Sequence, residues 1–211
     1  MKIVKILIPI LVVAIAISWD WPWSKKNENI NSKNIKLPIG NHSLLYDYSS
    51  LIWKGQKAIG GFHTGNLDLK SGEIKIDVEG GVSGIIIIDM NTISCTDLQG
   101  EWKSKLEGHL KNEDFFSIDE FPESKIEFQS VKRIKNLIEF KGSLTIKNIS
   151  IPISFTANLR KSDSVVLANC NLNFDRSKFD IKYGSGTFFK NLGDNLILDD
   201  INIDVTLAIN N

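Results

Sequence analysis

Ile149-Ser150-Ile151-Pro152-Ile153-Ser154-Phe155-Thr156-Ala157-Asn158-Leu159 alternates apolar and polar residues without a break. Successive side chains of an extended chain point to opposite faces, so strict period two over this length describes a long strand with one face buried and one wet. The pattern recurs in both directions along the chain. Glu73-Ile74-Lys75-Ile76-Asp77-Val78-Glu79 alternates in the same way. Ala168, Cys170, Leu172 and Phe174 are interleaved with Asn169, Asn171, Asn173 and Asp175. Ile201, Ile203, Val205 and Leu207 are interleaved with Asn202, Asp204 and Thr206. Several such strands specify an all-β antiparallel sandwich or barrel. Lys70-Ser71-Gly72, Glu79-Gly80-Gly81 and Lys147-Asn148 have the composition of hairpin turns, and connections this short favour an up-and-down meander. Pro152 lies on the polar phase and lacks a ladder donor, which predicts an edge or a bulge there.

One stretch leaves this period. Thr96-Asp97-Leu98-Gln99 has capping-box spacing, with Thr96 as the cap, and Trp102, Leu106, His109 and Leu110 then follow at helical intervals. This predicts one short amphipathic helix of about three turns between strands. Gly60-Gly61-Phe62-His63-Thr64-Gly65 is glycine-rich but has no lysine to hold a phosphate, and reads as a bulge or sharp strand bend.

The N-terminus reads differently. Lys2 and Lys5 precede an apolar run from Ile6 to Ile17, and Ala14-Ile15-Ala16 and Ala16-Ile17-Ser18 both fit a small-x-small cleavage site. The run is shorter than the roughly 20 residues of a spanning helix. Residues 1–18 are therefore expected to be an export signal. Retention as a membrane anchor stays open, because Trp19, Trp21 and Trp23 have the interfacial preference of tryptophan. Residues 19–40, with an asparagine- and lysine-rich stretch from Ser24, read as a linker, and residues 41–211 as the folded domain. This places the protein in the periplasm or outside the cell. Of the two cysteines, Cys95 and Cys170, the second falls on an apolar strand phase and suits a small core residue, although export permits a bridge between them.

Charge excludes one class of partner. The 25 Lys and Arg balance 25 Asp and Glu, with no basic stripe for nucleic acid. Catalytic patterns are scarce too: the chain has neither a G-x-S-x-G elbow nor a phosphate loop. His42, His63 and His109 show no metal-ligand spacing, so neither metal nor cofactor is expected. Catalysis would require these histidines to converge with a carboxylate. Asp114, Asp119, Glu120 and Glu123 alternate with Phe115, Phe116, Phe121 and Pro122, which reads as a loop burying aromatics with its acids in water. Arg176 ends an alternating strand, where it has two readings: a cation at a barrel mouth, or the plainer surface ion pair with Asp175 or Asp180.

Leu106-Glu107-Gly108-His109-Leu110-Lys111-Asn112-Glu113-Asp114-Phe115-Phe116, followed by Phe121-Pro122 and Ile126-Glu127-Phe128, resembles the signature of YceI-like proteins. Gly142-Ser143-Leu144-Thr145-Ile146, Arg176-Ser177-Lys178-Phe179 and His42-Ser43 fall in the family's order, while Ile39, Lys147-Asn148 and Asp180 depart from its pattern. The resemblance implies an eight-stranded, lipocalin-like antiparallel barrel. It also implies binding, transport or storage of a polyisoprenoid-type or quinone-like lipid in the cell envelope, without catalysis. On that reading the inward wall is Ile126, Phe128, Ile151, Ile153, Phe155, Ala168, Cys170, Leu172, Phe174, Ile201, Ile203 and Val205, with His63, His109 and Arg176 as polar groups at the mouth. Three alternatives of other kinds remain open at this point: a structural barrel filled by Phe128, Phe155 and Phe174, an enzyme acting on a quinone or lipid, and a homodimer. Ile153→Asp and Leu172→Asp are each expected to abolish folding or ligand retention, since an unpaired buried charge costs several kcal/mol. Normal expression and melting of both variants would show the inward phase to be misassigned.

Overall fold

The computed structural model describes residues 34–162 and 164–211, so the expected export signal and most of the linker lie outside the described residues. The strands are β1 (Gly40–Ser43), β2 (Ser50–Gln56), β3 (Phe62–Ile76), β4 (Val82–Cys95), β5 (Glu123–Ile134), β6 (Leu137–Ile146), β7 (Ile149–Ser162), β8 (Val165–Asp175) and β9 (Asp200–Asn210), with helix α1 (Gly100–Lys111) between β4 and β5. Each strand from β2 to β9 pairs antiparallel with the next, and β9 closes onto β2 through Ser50↔Thr206 to Lys54↔Asn202. The result is the expected eight-stranded barrel with one helix. The first strand position is shared. β2 pairs with Phe62–Leu67 of β3, and the short β1 pairs with its other half, Glu73–Ile76. The break between them is stitched to β9, where Leu45 N–H donates to the Ala208 carbonyl and the Ser49 hydroxyl accepts from the Ala208 N–H.

Two connections have the expected turn chemistry. Lys147 and Asn148 both take positive φ (50° and 59°), the signature of the type I′ turn that suits a two-residue hairpin. Gly80 turns the β3–β4 hairpin at φ 85°. Two expectations need correction. Lys70-Ser71-Gly72 is not a turn; it lies inside β3, at a register shift between Leu69 and Ser71. Glycine leaves room there for a core side chain: a Cβ on residue 72 would stand 2.4 Å from Leu44 Cδ1, which would have to shift. The strand also stops at Ile76, which leaves Val78 exposed in the following turn.

The helix forms in the expected place, with a different start. Thr96 does not cap it. Its N–H and hydroxyl both donate to the Thr64 carbonyl as an extension of the sheet, and Gln99 occupies the cap position without a side-chain bond. Leu110 is buried, but Trp102, on the apolar spacing, is 71% exposed with Lys105 above its ring. The first turn overhangs the barrel, and only the later turns reach it.

Ring pairing is incomplete in two places, both towards the same end. β7 pairs with β8 only through Ala157–Ser162, so Ile149–Thr156 bonds to β6 alone and Asn171–Asp175 to β9 alone. Pro152 sits on this open edge, as its missing N–H requires. β4 pairs with β5 only through Ser83–Asp89. Beyond that, α1 packs on β4, and the segment after it buries Phe115 and Ile118 while Asp114, Asp119 and Glu120 stay in water.

Two glycines separate close approach from chain freedom. A Cβ on Gly142 would lie 1.9 Å from the Glu127 carbonyl oxygen, whereas one on Gly108 of α1 meets nothing within 4 Å. Gly142→Ala is expected to destabilise by about 1–3 kcal/mol and Gly108→Ala to stabilise by up to about 1 kcal/mol, read from urea unfolding midpoints.

Candidate functional site

Inward-facing positions of the closed ring do not fill it. A cavity of about 400 Å³ runs through the barrel, within the range of small-molecule sites. Phe128, Phe140 and Phe155 pack on one another along one wall, with ring centroids 5.1–5.8 Å apart, and leave the lumen open beside them. Filling of the barrel by aromatics is thereby overturned.

The wall has a direction. At the end of the β3–β4 hairpin it is aliphatic: Leu37, Ile76, Val82, Ile138, Leu159, Val166 and Ile209. Leu37 belongs to the chain entering the domain, which is tied across this end. Ile35 N–H donates to Asn136 Oδ1 (2.8 Å), and the Arg133 guanidinium donates to the Ile35 carbonyl. Gln56, Lys57, His63, His109, Ser124, Arg176 and Tyr183 supply the polar side chains of the wall. They come from the other half of the barrel, where the ring pairing is incomplete.

Of the residues expected on the wall, Ile126, Phe128, Phe155, Ala168, Cys170, Leu172, Phe174, Ile201, Ile203 and Val205 line the cavity. Ile151 and Ile153 do not; they pack against a second apolar cluster that includes Phe179 and Ile181. The cause is the divergence of β7 from β8, which opens a gap that the chain after β8 occupies. Cys95 and Cys170 are both free thiols. Burial pushes the Cys170 thiol up to about 11, with a smaller contribution from the Asp204 charge.

Arg176 does not form the surface ion pair; it lines the polar end of the cavity, with its charge held inside the wall. It is 1% exposed and makes no ion pair with Asp175 or Asp180. Its Nε and both terminal nitrogens donate to the carbonyls of Leu198 (3.3 Å), Ile181 (3.2 Å) and Ile197 (3.2 Å). Its charge faces Asp199 Oδ1 at 3.2 Å, a close contact that is not an aligned hydrogen bond. Asp199 Oδ2 accepts from the hydroxyls of Ser185 and Thr187, each at 2.8 Å. Burial pulls the guanidinium pKa down, and the charges of Asp199 and Asp175 oppose that shift. This network folds residues 176–199 over the barrel end. It also sets Arg176 5.8 Å from the Phe115 ring, beside an aromatic corner in which His109 stands 4.9 Å from Phe115 and 4.3 Å from Tyr183.

The histidines do not meet. His42 contacts the Pro38 carbonyl (2.9 Å), His63 pairs with Asp97 (2.8 Å) and His109 with Asp114 (3.3 Å). Sequence reasoning missed Tyr183 and Asp199, which lie in a segment without period. It also missed Phe140, which the alternation of Ile138, Phe140 and Leu144 would have placed inside.

The YceI-like domain family matches residues 46–209. Two solved structures share the fold. BcnA of Burkholderia cenocepacia is 17% identical, with a TM-score of 0.64 over 78% of this chain and 98% of its own. A polyisoprenoid-binding domain from Saccharophagus degradans, implicated in plant cell wall breakdown, is 15% identical, with a TM-score of 0.60 over 82% and 99%. No curated protein matches this sequence. Arg176→Met is expected to destabilise by about 3–5 kcal/mol in urea unfolding, because it leaves the buried Oδ1 of Asp199 and three backbone carbonyls without their partner. Arg176→Lys should recover only part of the loss, since an ammonium does not reach three carbonyls as a planar guanidinium does.

Proposed function

This chain belongs to the YceI-like family, and we propose that it binds one long apolar lipid of the polyisoprenoid type, tail inward, along the axis of its barrel. The observation that carries this reading is the direction of the wall. One end of the cavity is entirely aliphatic, and the polar side chains gather at the other. Such a wall selects a ligand with a long hydrocarbon tail and a small polar head. Each CH₂ removed from water contributes about 0.8 kcal/mol, so tail length sets affinity, reduced by the entropy of ordering the chain. The head would meet His109, Tyr183 and Arg176. The polyisoprenoid-binding domain of Saccharophagus degradans shares the fold and supports this class of ligand.

We read the chain as a binding protein. The apolar wall of the cavity and the family of the chain support this reading. The expected export signal and the tryptophans after it support a reading in which this work is done in the cell envelope, with the lipid carried or stored there.

Ala168 lies on the wall, where added bulk plugs the lumen. Detergent-free protein is expected to take up one polyprenol per chain. Ala168→Phe should weaken that uptake at least about tenfold, equivalent to about 1.4 kcal/mol, with far-UV circular dichroism unchanged. Undiminished uptake by the folded variant would place the lipid outside the barrel.

A further inference from the structure

At the polar end of the barrel, where β3, β4 and the approach to α1 meet, three donors of different chemistry converge. The Cys95 sulfur, a ring nitrogen of His63 and a carboxylate oxygen of Asp97 all lie within 4.8 Å of one another. We propose that His63, Cys95 and Asp97 form a site for one divalent transition-metal ion of the zinc type. The proposal does not rest on the lipid-binding reading, although His63 also belongs to the wall of the cavity.

The spacing suits such an ion. Bonds of about 2.0–2.3 Å in tetrahedral array hold ligand atoms about 3.3–3.7 Å apart. The contacts in the structure fall just short of that range, with His63 Nδ1 to Asp97 Oδ2 at 2.8 Å and Cys95 Sγ to Asp97 Oδ1 at 3.2 Å, so the side chains need part by only a few tenths of an ångström to admit the ion. Thiolate, imidazole and carboxylate together match borderline ions, and the two anionic ligands neutralise a dication. On binding, the Cys95 thiol gives its proton to solvent and its sulfur bonds the metal, while His63 binds as neutral imidazole.

The donors are held from outside. Thr64 N–H donates to Asp97 Oδ1 (2.8 Å), and Cys95 N–H donates to Glu107 Oε1 (2.8 Å) on α1. Gly65 pairs with Cys95, which fixes His63 and Cys95 on neighbouring strands. Cys95 is fully buried, while the side chains of His63 and Asp97 are 41% and 27% exposed. The ion would therefore have protein beneath it and water above, with a fourth position open to solvent. Sequence spacing conceals this arrangement, because His63 precedes Cys95 by a hairpin and only Cys95-Thr96-Asp97 is local.

Cobalt(II), a spectroscopic substitute for zinc, tests the site in the full reduced chain. The expected result is a near-ultraviolet sulfur-to-cobalt charge-transfer band that saturates at one ion per chain and disappears on adding zinc. The band should be absent in Cys95→Ser and retained in Cys170→Ser. His63→Gln, a change at a half-exposed position that leaves the barrel folded, should weaken binding at least about tenfold. Absence of the band in the unaltered chain would overturn the proposal and leave the triplet as a hydrogen-bonded clasp. A band that survives Cys95→Ser and vanishes in Cys170→Ser would overturn it as well.

Discussion

Closure of β9 onto β2 is the constraint on which the rest of this structure depends. Once Ser50–Lys54 pairs with Asn202–Thr206, the sheet encloses its apolar phase, and most inward side chains of the eight strands face a common lumen. A ring of this size is near the limit at which side chains alone fill the interior. Here the wall residues stop short of filling it, even where three phenylalanines pack on one another. The remaining space is lined by atoms that water wets poorly, and that is the thermodynamic basis of the proposed uptake of a hydrocarbon chain.

Closure is not uniform along the axis, and the chemistry follows the irregularity. At the end where β7 leaves β8 and β5 falls short beside β4, the ring is completed by connections instead of strands. Connections carry backbone groups that need partners. The buried Arg176 meets part of that need by donating to three carbonyls of the covering segment, and Asp199 opposes its charge. The same end carries the polar side chains of the cavity wall and the His63–Cys95–Asp97 triplet. The regular end, crossed by the chain at Ile35–Leu37, offers the lumen only hydrocarbon. A single amphipathic ligand has one favourable orientation in such a barrel.

Most of the architecture was legible because period two is a direct consequence of backbone geometry. The alternations at Ile149–Leu159, Ala168–Phe174 and Ile201–Leu207 reappear as β7, β8 and β9, and Lys147-Asn148 turns as its composition implies. Errors arose where a local signal had a non-local cause. Gly72 resembles a turn residue, but it is small because Leu44 occupies the space a side chain would need. Thr96 has cap spacing, yet the Thr64 carbonyl takes its donors. Ile151 and Ile153 keep the inward phase but leave the cavity wall, since the strand that bears them parts from its neighbour. Arg176 finds Asp199 across a segment without period, and no pattern in the sequence links the two.

The central claim, that the open lumen exists to hold a lipid, is tested most directly by native mass spectrometry of the domain purified without detergent, before and after organic extraction. The account predicts a retained apolar mass, one per chain, that extraction removes and host lipid extract restores. A chain that emerges with no added mass, and stays so after incubation with that extract, would contradict it.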